Sequence, residues 1–428
     1  MDMDDSAADI RRLHEIRARA GRILLPCAGA ALLVFVAVAS ALVIQPLPFS
    51  DWTYYWEAAR GTVGYERGGV LVYALRGLQL LQLPPYATAL ILNLASAAIL
   101  LGVASRAERT RTGIATWLVY LYLLAIAPYY AVVQFDLAAT ALLCAGLACL
   151  ADAGRQTRAK VGMAVVLVAC AVSSRPQFLL VILVFGGLVV GGTLLARGIR
   201  GMACRHAAFA ACVLMAGALA GFALDSALRA DAGRSDAVRT TSGVTLYAGL
   251  LSSGTTAPQC GQWSMQATRD ARRDASRPLV EAVRARIEAK PPAHWLEVVA
   301  CKAPSIALPD AYALSWSLGA PNVRVRLEEG GQSSPLERAA PYLYRLEQLL
   351  YLAVILLIYA YAAASVARCG GRRQWTAAFL PLAWLAAYWL VHAVFEIQPR
   401  YFLSLFLTLP IVVALLTRPA QCGRPQAC

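Results

Sequence analysis

The chain has 428 residues, of which 59% are hydrophobic and only 15% charged, and its mean hydropathy is +0.56. A water-soluble domain has too little interior to bury that much apolar surface, so the composition excludes a soluble protein and indicates one solvated by lipid. The net charge of +14 is typical of some nucleic-acid-binding proteins. Here the basic residues recur as short clusters between apolar runs, which favours a polytopic membrane protein without a nucleic-acid partner.

Ten apolar segments recur along the chain, with lengths that mostly suit a hydrocarbon core about 30 Å thick. They are 24–45, 86–105, 113–132, 135–151, 161–175, 177–196, 206–224, 346–366, 375–394 and 401–417. The fifth is short for a complete span. The sequence therefore predicts an all-α polytopic integral membrane protein with about ten transmembrane helices.

The arginine clusters between these segments predict the orientation. With ten spans, every cluster falls on one side of the membrane, which the positive-inside rule assigns to the cytoplasm. Both termini are then cytoplasmic, and 46–85 and 225–345 lie on the periplasmic side of a bacterial inner membrane. The chain divides into an N-terminal transmembrane module (1–224), a small, mainly helical periplasmic domain (225–345) and a C-terminal transmembrane module (346–428).

The first periplasmic loop contains two segments with helical periodicity. In 51–60 the spacing i, i+3, i+4, i+7 gives one aromatic face, which predicts a helix lying in the headgroup layer. That face consists of Trp52, Tyr55, Trp56 and Ala59. Segment 68–83 is too short to span comfortably, and we predict a second surface or re-entrant helix there.

The long loop 225–345 is the only candidate soluble domain. It is predicted to be helical over 265–290 and 293–303 and to be a loop over 315–335. Cys260 and Cys301 both lie in it, and in the oxidising periplasm they could form a disulfide.

Charged residues beside apolar spans are costly and therefore indicate function. In the predicted topology those at the outer ends of the spans converge, and a cavity that mixes carboxylates with arginines suits a substrate with an anionic head. Arginine binds phosphate with a fixed fork of donors, and a carboxylate can take a proton from an attacking hydroxyl. The candidates are Asp51, Glu57, Asp136, Arg175, Arg345, Glu396 and Arg400.

Structural interpretations of the same residues stay open at this stage. Asp51 follows Ser50 at a helix start and could cap it, and Asp136 could cap the fourth span in the same way. Arg175 could anchor a headgroup, and Arg400 could anchor a helix end. The four histidines are scattered, without the spacing of a zinc site.

Several segments resemble motifs of the GT-C superfamily of membrane glycosyltransferases, particularly the bacterial branch of glycosyltransferase family 39 and the lipid A aminoarabinose transferases. PLPFSDWTYYWEAARG (46–61) is similar to the family's acidic loop, and QFDLAATALLCAGLACLAD (134–152) to its second acidic position. In the long loop, 244–263 and 285–308 resemble two further family segments. EIQPRYFLSLFLTLP (396–410) resembles the segment that opens the last span.

This resemblance implies transfer of a monosaccharide from a polyprenyl-phosphate (for example undecaprenyl-phosphate) donor to a lipid or glycan acceptor, with inversion at the anomeric carbon. Asp51 would be the general base, and Asp136 would orient the acceptor or hold a divalent cation, Mg or Mn, although users of such donors need not bind metal. The donor phosphate would bind Arg400, Arg345 and Arg175. The substrate pocket would include Tyr54, Tyr55, Glu57, Glu396 and Tyr401.

Three other function classes remain open from the sequence. One is a different membrane transferase, such as a polymer ligase or an acyltransferase, of which the latter should have a histidine-centred site. A transporter or flippase for an anionic lipid or sugar phosphate would also use arginines, but it favours charges near the bilayer midplane. A scaffold subunit would need no chemistry at Asp51.

Overall fold

The computed structural model describes residues 27–108, 113–151, 157–195, 202–231, 244–257, 260–319, 335–368 and 375–416. Over these residues the protein is helical, with no β-strand. Five stretches are long and apolar enough to cross a membrane, in agreement with the predicted helical membrane class. They are Cys27–Ile44, Pro85–Ala107, Gln177–Leu195, Arg205–Ala230 and Arg338–Arg368.

The N-terminal part contains nine helices among the described residues, and a helix occupies each of the first seven predicted spans. The elements are α1 Cys27–Ile44, α2 Asp51–Arg60, α3 Val70–Gln79, α4 Pro85–Ala107, α5 Ile114–Ala125, a 3₁₀ turn Ala127–Ala131, α6 Asp136–Ala151, α7 Arg158–Ser174, α8 Gln177–Leu195 and α9 Met202–Asp231.

The C-terminal part contains seven further helices within the described ranges. The elements are a π-helical turn Tyr247–Leu251, α10 Met265–Asp274, α11 Leu279–Glu288, α12 Pro292–Ala307, α13 Ala313–Leu318, α14 Pro335–Arg368, α15 Trp375–Val394, a 3₁₀ turn Pro399–Phe402 and α16 Leu403–Leu416.

Several predicted element bounds differ from the structure. The helical stretch predicted over 265–290 consists of two helices, α10 and α11, separated at residues 275–278. The third span was predicted as one helix over 113–132, but α5 ends at Ala125 and a 3₁₀ turn follows, because Pro128 has no N–H to continue the helical ladder. The long helix α14 begins at Pro335, well before the predicted start at residue 346. The segment 315–335 was predicted as loop, but α13 covers its first residues; 320–334 lie outside the described residues.

The predicted aromatic face of α2 packs against protein and not in the headgroup layer. Trp52 and Tyr55 are fully buried, and the Tyr55 ring lies 4.5 Å, centroid to centroid, from that of Phe135 just before α6. The prediction of a lipid-facing surface was wrong. An aromatic helix face can be removed from water either by lipid headgroups or by other helices, and the sequence pattern is the same in both cases.

The core of the bundle lies around α6 and α16, which pack on each other and on α4 and α5. The side chains of α16 are buried almost throughout, as expected for a helix with apolar residues on every side. Glycines bring α9 against α7: a Cβ at Gly221 would lie 2.6 Å from the Ala169 carbonyl oxygen. This packing brings the ends of α6, α7 and α16 close to the start of α2.

Candidate functional site

Asp51 is the first residue of α2, and its carboxylate is held by two arginines. Arg400 Nη2 donates to Asp51 Oδ2 at 3.0 Å, and Arg67 Nη2 lies 2.8 Å from Oδ1. The preceding Ser50 makes no side-chain capping bond and has a φ of +51°, which is unusual outside glycine. Burial opposes ionisation, but the charges of Arg400, Arg67 and Arg175 outweigh it and hold the pKa of the Asp51 carboxyl below its usual range.

Arg67 was not among the predicted site residues, and the loop between α2 and α3 places it there. Gly68 and Gly69 follow it with φ of +102° and +55°, and a Cβ at Gly69 would lie 2.4 Å from the Ser173 carbonyl carbon. Only glycine allows the loop to approach α7 so closely. The Tyr54 hydroxyl donates to Gly64 O at 3.1 Å, and the Arg67 guanidinium carbon lies 5.4 Å from the Tyr54 ring centroid.

Asp136 and Arg175 form a second, more deeply buried ion pair beside the first. Arg175 Nη2 donates to Asp136 Oδ2 and, at 3.3 Å, to Gln134 Oε1, while the Tyr129 hydroxyl donates to Asp136 Oδ2 at 3.0 Å. Asp136 is 2% and Arg175 7% exposed. Because Arg175 is buried among protein groups, the headgroup-anchor interpretation is wrong for this residue. Asp136 begins α6, so it stays near the positive end of that helix dipole.

Arg400 lies in the 3₁₀ turn that leads into α16. Its Nε donates to Gln398 Oε1 at 2.8 Å, and its guanidinium carbon lies 4.5 Å from the Trp316 ring centroid and 5.4 Å from that of Tyr401. Gln398 Nε2 in turn donates to Glu396 Oε1 at 2.5 Å, so the amide bridges Arg400 and Glu396. Burial raises the pKa of the Glu396 carboxyl, although the hydrogen bond from Gln398 acts to lower it.

The structure thus brings together most of the residues that the sequence nominated from distant parts of the chain. Arg400 interacts electrostatically with Asp51, Asp136 and Glu396, and Arg175 interacts with Asp51 and Asp136. Tyr55 and Tyr401 border the same group, and both interact with the charges of Asp51, Arg175 and Arg400.

Several buried polar atoms of this group have no hydrogen-bond partner among the residues that the structure describes. An unsatisfied buried donor or acceptor costs about 1–3 kcal/mol, so a cluster of them is typical of a site built for a polar ligand. They are Arg400 Nη1, Arg175 Nε, Arg67 Nε, Gln134 Nε2 and Asp136 Oδ1. Four of the five are donors, which suits a ligand rich in acceptor oxygens.

Two predicted site residues lie outside this cluster. Glu57 accepts a bond from the Thr62 hydroxyl at 2.5 Å, and its contacts stay within its own loop. Arg345 is exposed on α14. It borders a separate open pocket of about 410 Å³, lined also by Asp310, Ala311, Ser315, Tyr344, Glu347 and Gln348.

The carboxylates of this cluster are paired with arginines. Asp51 and Asp136 each accept from arginine, and no group of three or more His, Cys, Asp or Glu side chains that could hold a metal ion occurs in the part of the chain that the structure describes. No step of the chemistry proposed below passes through a metal.

Sequence reasoning missed Arg67, Gln134, Tyr129 and Trp316. Arg67 had a readable signal, since an arginine directly before Gly-Gly in a short loop marks close backbone approach. Trp316 had none, because it reaches Arg400 from α13, which the sequence predicted as loop. The predicted disulfide between Cys260 and Cys301 is confirmed.

The chain matches no model of a known protein family, no characterised protein and no solved structure. Function therefore has to be inferred from the geometry of the site and the motifs of the sequence.

Proposed function

We propose that the protein is a glycosyltransferase that moves a monosaccharide from a polyprenyl-phosphate donor to an acceptor hydroxyl on the periplasmic side of a bacterial inner membrane. The observation that carries the proposal is the Asp51 carboxylate, held between Arg67 and Arg400 beside buried donors that have no partner among the described residues. A base and an anion-binding set of arginines are what this reaction needs within one small volume. The GT-C-like motifs and their predicted sidedness support the same assignment.

In the proposed reaction the acceptor oxygen bonds to the anomeric carbon while the bond from that carbon to the phosphate oxygen breaks. Polyprenyl phosphate leaves with the bonding electron pair, and the hydroxyl proton passes to Asp51. Arg400 and Arg175, joined by Arg67, neutralise the charge that develops on the phosphate. As the arginines shift toward the phosphate, Asp51 loses hydrogen-bond donors and becomes a stronger base.

Asp136 has a positioning role in this scheme. Its Oδ2 accepts from Arg175 and Tyr129, while its buried Oδ1 has no partner among the described residues and can accept a hydrogen bond from a hydroxyl of the sugar or acceptor. Tyr55, Tyr401 and Glu396 border the same space. Tyr54 and Glu57 act through the loop that carries Arg67.

Arg345 is assigned to the acceptor side. Its pocket includes Ser315, the neighbour of Trp316, whose ring packs on Arg400. An acceptor lipid or glycan that enters through this pocket would reach the cluster beside Trp316. An Arg345→Ala variant is then expected to raise the KM for the acceptor and to leave the KM for the donor unchanged.

The proposed topology has ten spans with both termini in the cytoplasm. The helices of the last predicted span and of the third and fourth are shorter than a full bilayer crossing. Ends of α6, α7 and α16 meet α2 at the cluster, and short helices there support a site that a lipid headgroup can reach.

The experiment that tests the function is sugar transfer by purified protein in liposomes, supplied with a panel of polyprenyl-phosphate sugars. We expect wild-type protein to release polyprenyl phosphate from at least one donor, and Asp51→Asn to lose about 10²–10⁴-fold in rate. Glu288→Gln is the matched control, since Glu288 is an exposed carboxylate that pairs with Arg284 on α11, far from the cluster in the chain.

Each other outcome has a meaning. Release by both the wild type and a folded Asp51→Asn variant would keep the transferase and remove Asp51 as its base. No release from any donor, together with movement of lipid phosphate across the bilayer, would favour the flippase instead.

A further inference from the structure

Lys302 is a buried lysine that the proposed chemistry does not use. It lies on α12 with no exposed surface. Its Nζ donates to three backbone carbonyls: Gly249 O at 2.8 Å, Ala393 O at 2.9 Å and Phe395 O at 2.8 Å. One side chain thereby joins α12, the π-helical turn at 247–251 and the end of α15.

The ammonium form is the one that satisfies this arrangement. An ammonium has three N–H donors and a neutral amine has two, so only the charged form bonds all three carbonyls. Burial lowers the pKa of Lys302 to about 7, although the nearby charge of Glu396 acts to raise it. The titratable side chains that interact with Lys302 are Glu396 and His392.

The carbonyls that Lys302 binds belong to a junction of close backbone contacts. Glu396 N donates to Thr245 O at 2.8 Å, and Ile397 N donates to Gly261 O at 2.7 Å. A Cβ at Gly249 would lie 2.1 Å from the Phe395 carbonyl carbon, so no other residue fits there.

Lys302 also packs against the second glycine of the junction. Gly261 has a φ of +76°, and a Cβ at this position would lie 2.7 Å from Lys302 Cε. The disulfide between Cys260 and Cys301 joins the residues directly before Gly261 and Lys302, which holds the lysine against this segment.

The segment that Lys302 fixes continues directly into the candidate site. Phe395 precedes Glu396, Gln398 bridges Glu396 to Arg400, and Arg400 reaches Asp51. We propose that Lys302 is a positioning residue of this site: its three backbone bonds hold the segment 393–400 in the register that places Arg400 on Asp51. The positioning itself does not depend on the proposed transferase activity, whereas its effect on catalysis rests on that function.

The direct test is hydrogen–deuterium exchange of the full-length protein in nanodiscs at pH 6, where the lysine is charged. We compare wild type, Lys302→Met, Lys302→Gln and Lys302→Arg, and follow peptides that contain the amides of Glu396 and Ile397. Loss of a charge-assisted bond predicts about tenfold or more faster exchange of these amides in Lys302→Met, and partial recovery of protection in Lys302→Arg. Lys290→Met, at a lysine of the same region whose side chain contacts His294 and Trp295, is expected to exchange like wild type.

Unchanged exchange of the 393–400 peptides in Lys302→Met or Lys302→Gln would overturn the proposal. If Lys302→Met does not fold, Lys302→Gln, which keeps two N–H donors, gives the same comparison. If neither folds, faster exchange of these amides in Lys302→Arg than in wild type supports the proposal, and wild-type rates in that variant overturn it.

The transfer assay separates this inference from the proposed function. Displacement of Arg400 predicts a higher KM for the donor together with a lower kcat in the folded Lys302 variants, and arginine at 302 should restore part of both. Faster exchange without sugar transfer by any variant, wild type included, would keep the positioning role and reject the transferase. Transfer with normal constants in a variant whose 393–400 amides exchange faster would remove the link between this segment and catalysis.

Discussion

Asp51 illustrates how one carboxylate can begin a helix and also serve an ion-pair network. Its position at the start of α2 would suit a simple cap, yet both of its oxygens contact arginines from other parts of the chain. The arginines keep it ionised at neutral pH, which a general base requires. A cap alone would leave Arg67 and Arg400 without a carboxylate to neutralise them.

The shape of the Arg400 side chain is as important as its charge. The guanidinium contacts Asp51 and Gln398 through different nitrogens, and its carbon lies 4.5 Å from the Trp316 ring centroid. A lysine has a single nitrogen and cannot make these contacts together. We therefore expect Arg400→Lys to lose most of the transfer rate, about 10²-fold or more, much as Arg400→Ala does.

The measurement is kcat/KM for the polyprenyl-phosphate donor, with Arg284→Lys on the exposed face of α11 as the control. Retention of wild-type kcat/KM by Arg400→Lys would mean that a positive charge alone suffices. The separate contacts of the guanidinium with Asp51, Gln398 and Trp316 would then not contribute to catalysis.

Lys302 makes a prediction about stability and pH. The pKa of a lysine in an unfolded chain is about 10.4, and in the folded protein that of Lys302 is about 7. Between these values the unfolded state binds more protons, so the free energy of unfolding contributed by this residue rises with pH by at most about 1.4 kcal/mol per unit. Below pH 7 both states are protonated and the contribution is constant.

This sign is checked by the difference in thermal stability between wild type and Lys302→Met. The difference should move in favour of the wild type as the pH rises from 7 to 9, and it should be flat between pH 5 and 6.5. A difference that is independent of pH from 5 to 9 would show that the lysine is not perturbed.

At the scale of elements, the loop between α2 and α3 owes its path to two glycines. Gly69 approaches the end of α7 so closely that any Cβ would collide with backbone of Ser173. Gly69→Ala is therefore expected to displace the loop, to lower stability by about 1–3 kcal/mol and to reduce transfer by moving Arg67 away from Asp51.

Gly77→Ala on α3 is the matched control for this variant, since nothing lies within 4 Å of a Cβ there. An alanine inside a helix stabilises by about 0.5–1 kcal/mol relative to glycine, so the control should unfold at the same or a higher temperature. Equal behaviour of the two variants would refute the close-approach argument.

The disulfide between Cys260 and Cys301 stabilises the junction around Lys302. It closes a loop with a sequence separation of 41 residues, for which removal of the cross-link costs about 2–4 kcal/mol. Replacing both cysteines by serine should lower the unfolding temperature and speed the exchange of the 393–400 amides. Cys212→Ser, at an exposed free cysteine of α9, is the control and should change neither.

At the scale of the whole molecule, the proposed topology places α11 and α12 on the periplasmic side and the connection between α6 and α7 in the cytoplasm. A variant that keeps only Cys260 and Cys301 can carry one new cysteine at Lys290 or at Thr157. An impermeant maleimide added to intact cells should label Lys290→Cys, and it should label Thr157→Cys only after permeabilisation. The reverse pattern would invert the topology and place the Asp51 cluster on the cytoplasmic side.

Much of the fold followed from the sequence because lipid imposes strict local rules. Apolar runs of bilayer length have to be helices, since a buried backbone must satisfy its own hydrogen bonds. The helix over 51–60 and the pairing of Cys260 with Cys301 were likewise readable from local patterns.

The sequence also predicted candidate site residues, because a charged residue beside a membrane span is costly and therefore indicates a function. Asp51, Asp136, Arg175 and Arg400 were nominated on that ground, and they lie together in the structure.

Only the tertiary structure decided how these residues pair. These contacts join parts of the chain that are far apart in sequence, so no local pattern predicts them. They are the contacts of Arg67 with Asp51, of Arg175 with Asp136 and of Lys302 with three backbone carbonyls. The tertiary structure also shows that Arg345 borders a separate pocket and that Trp52 and Tyr55 of α2 are buried against the bundle. The sequence by itself determined which segments have to be helical in lipid and which charged residues need a partner. The partners were chosen by packing, because helix ends that meet in space can be far apart in the chain.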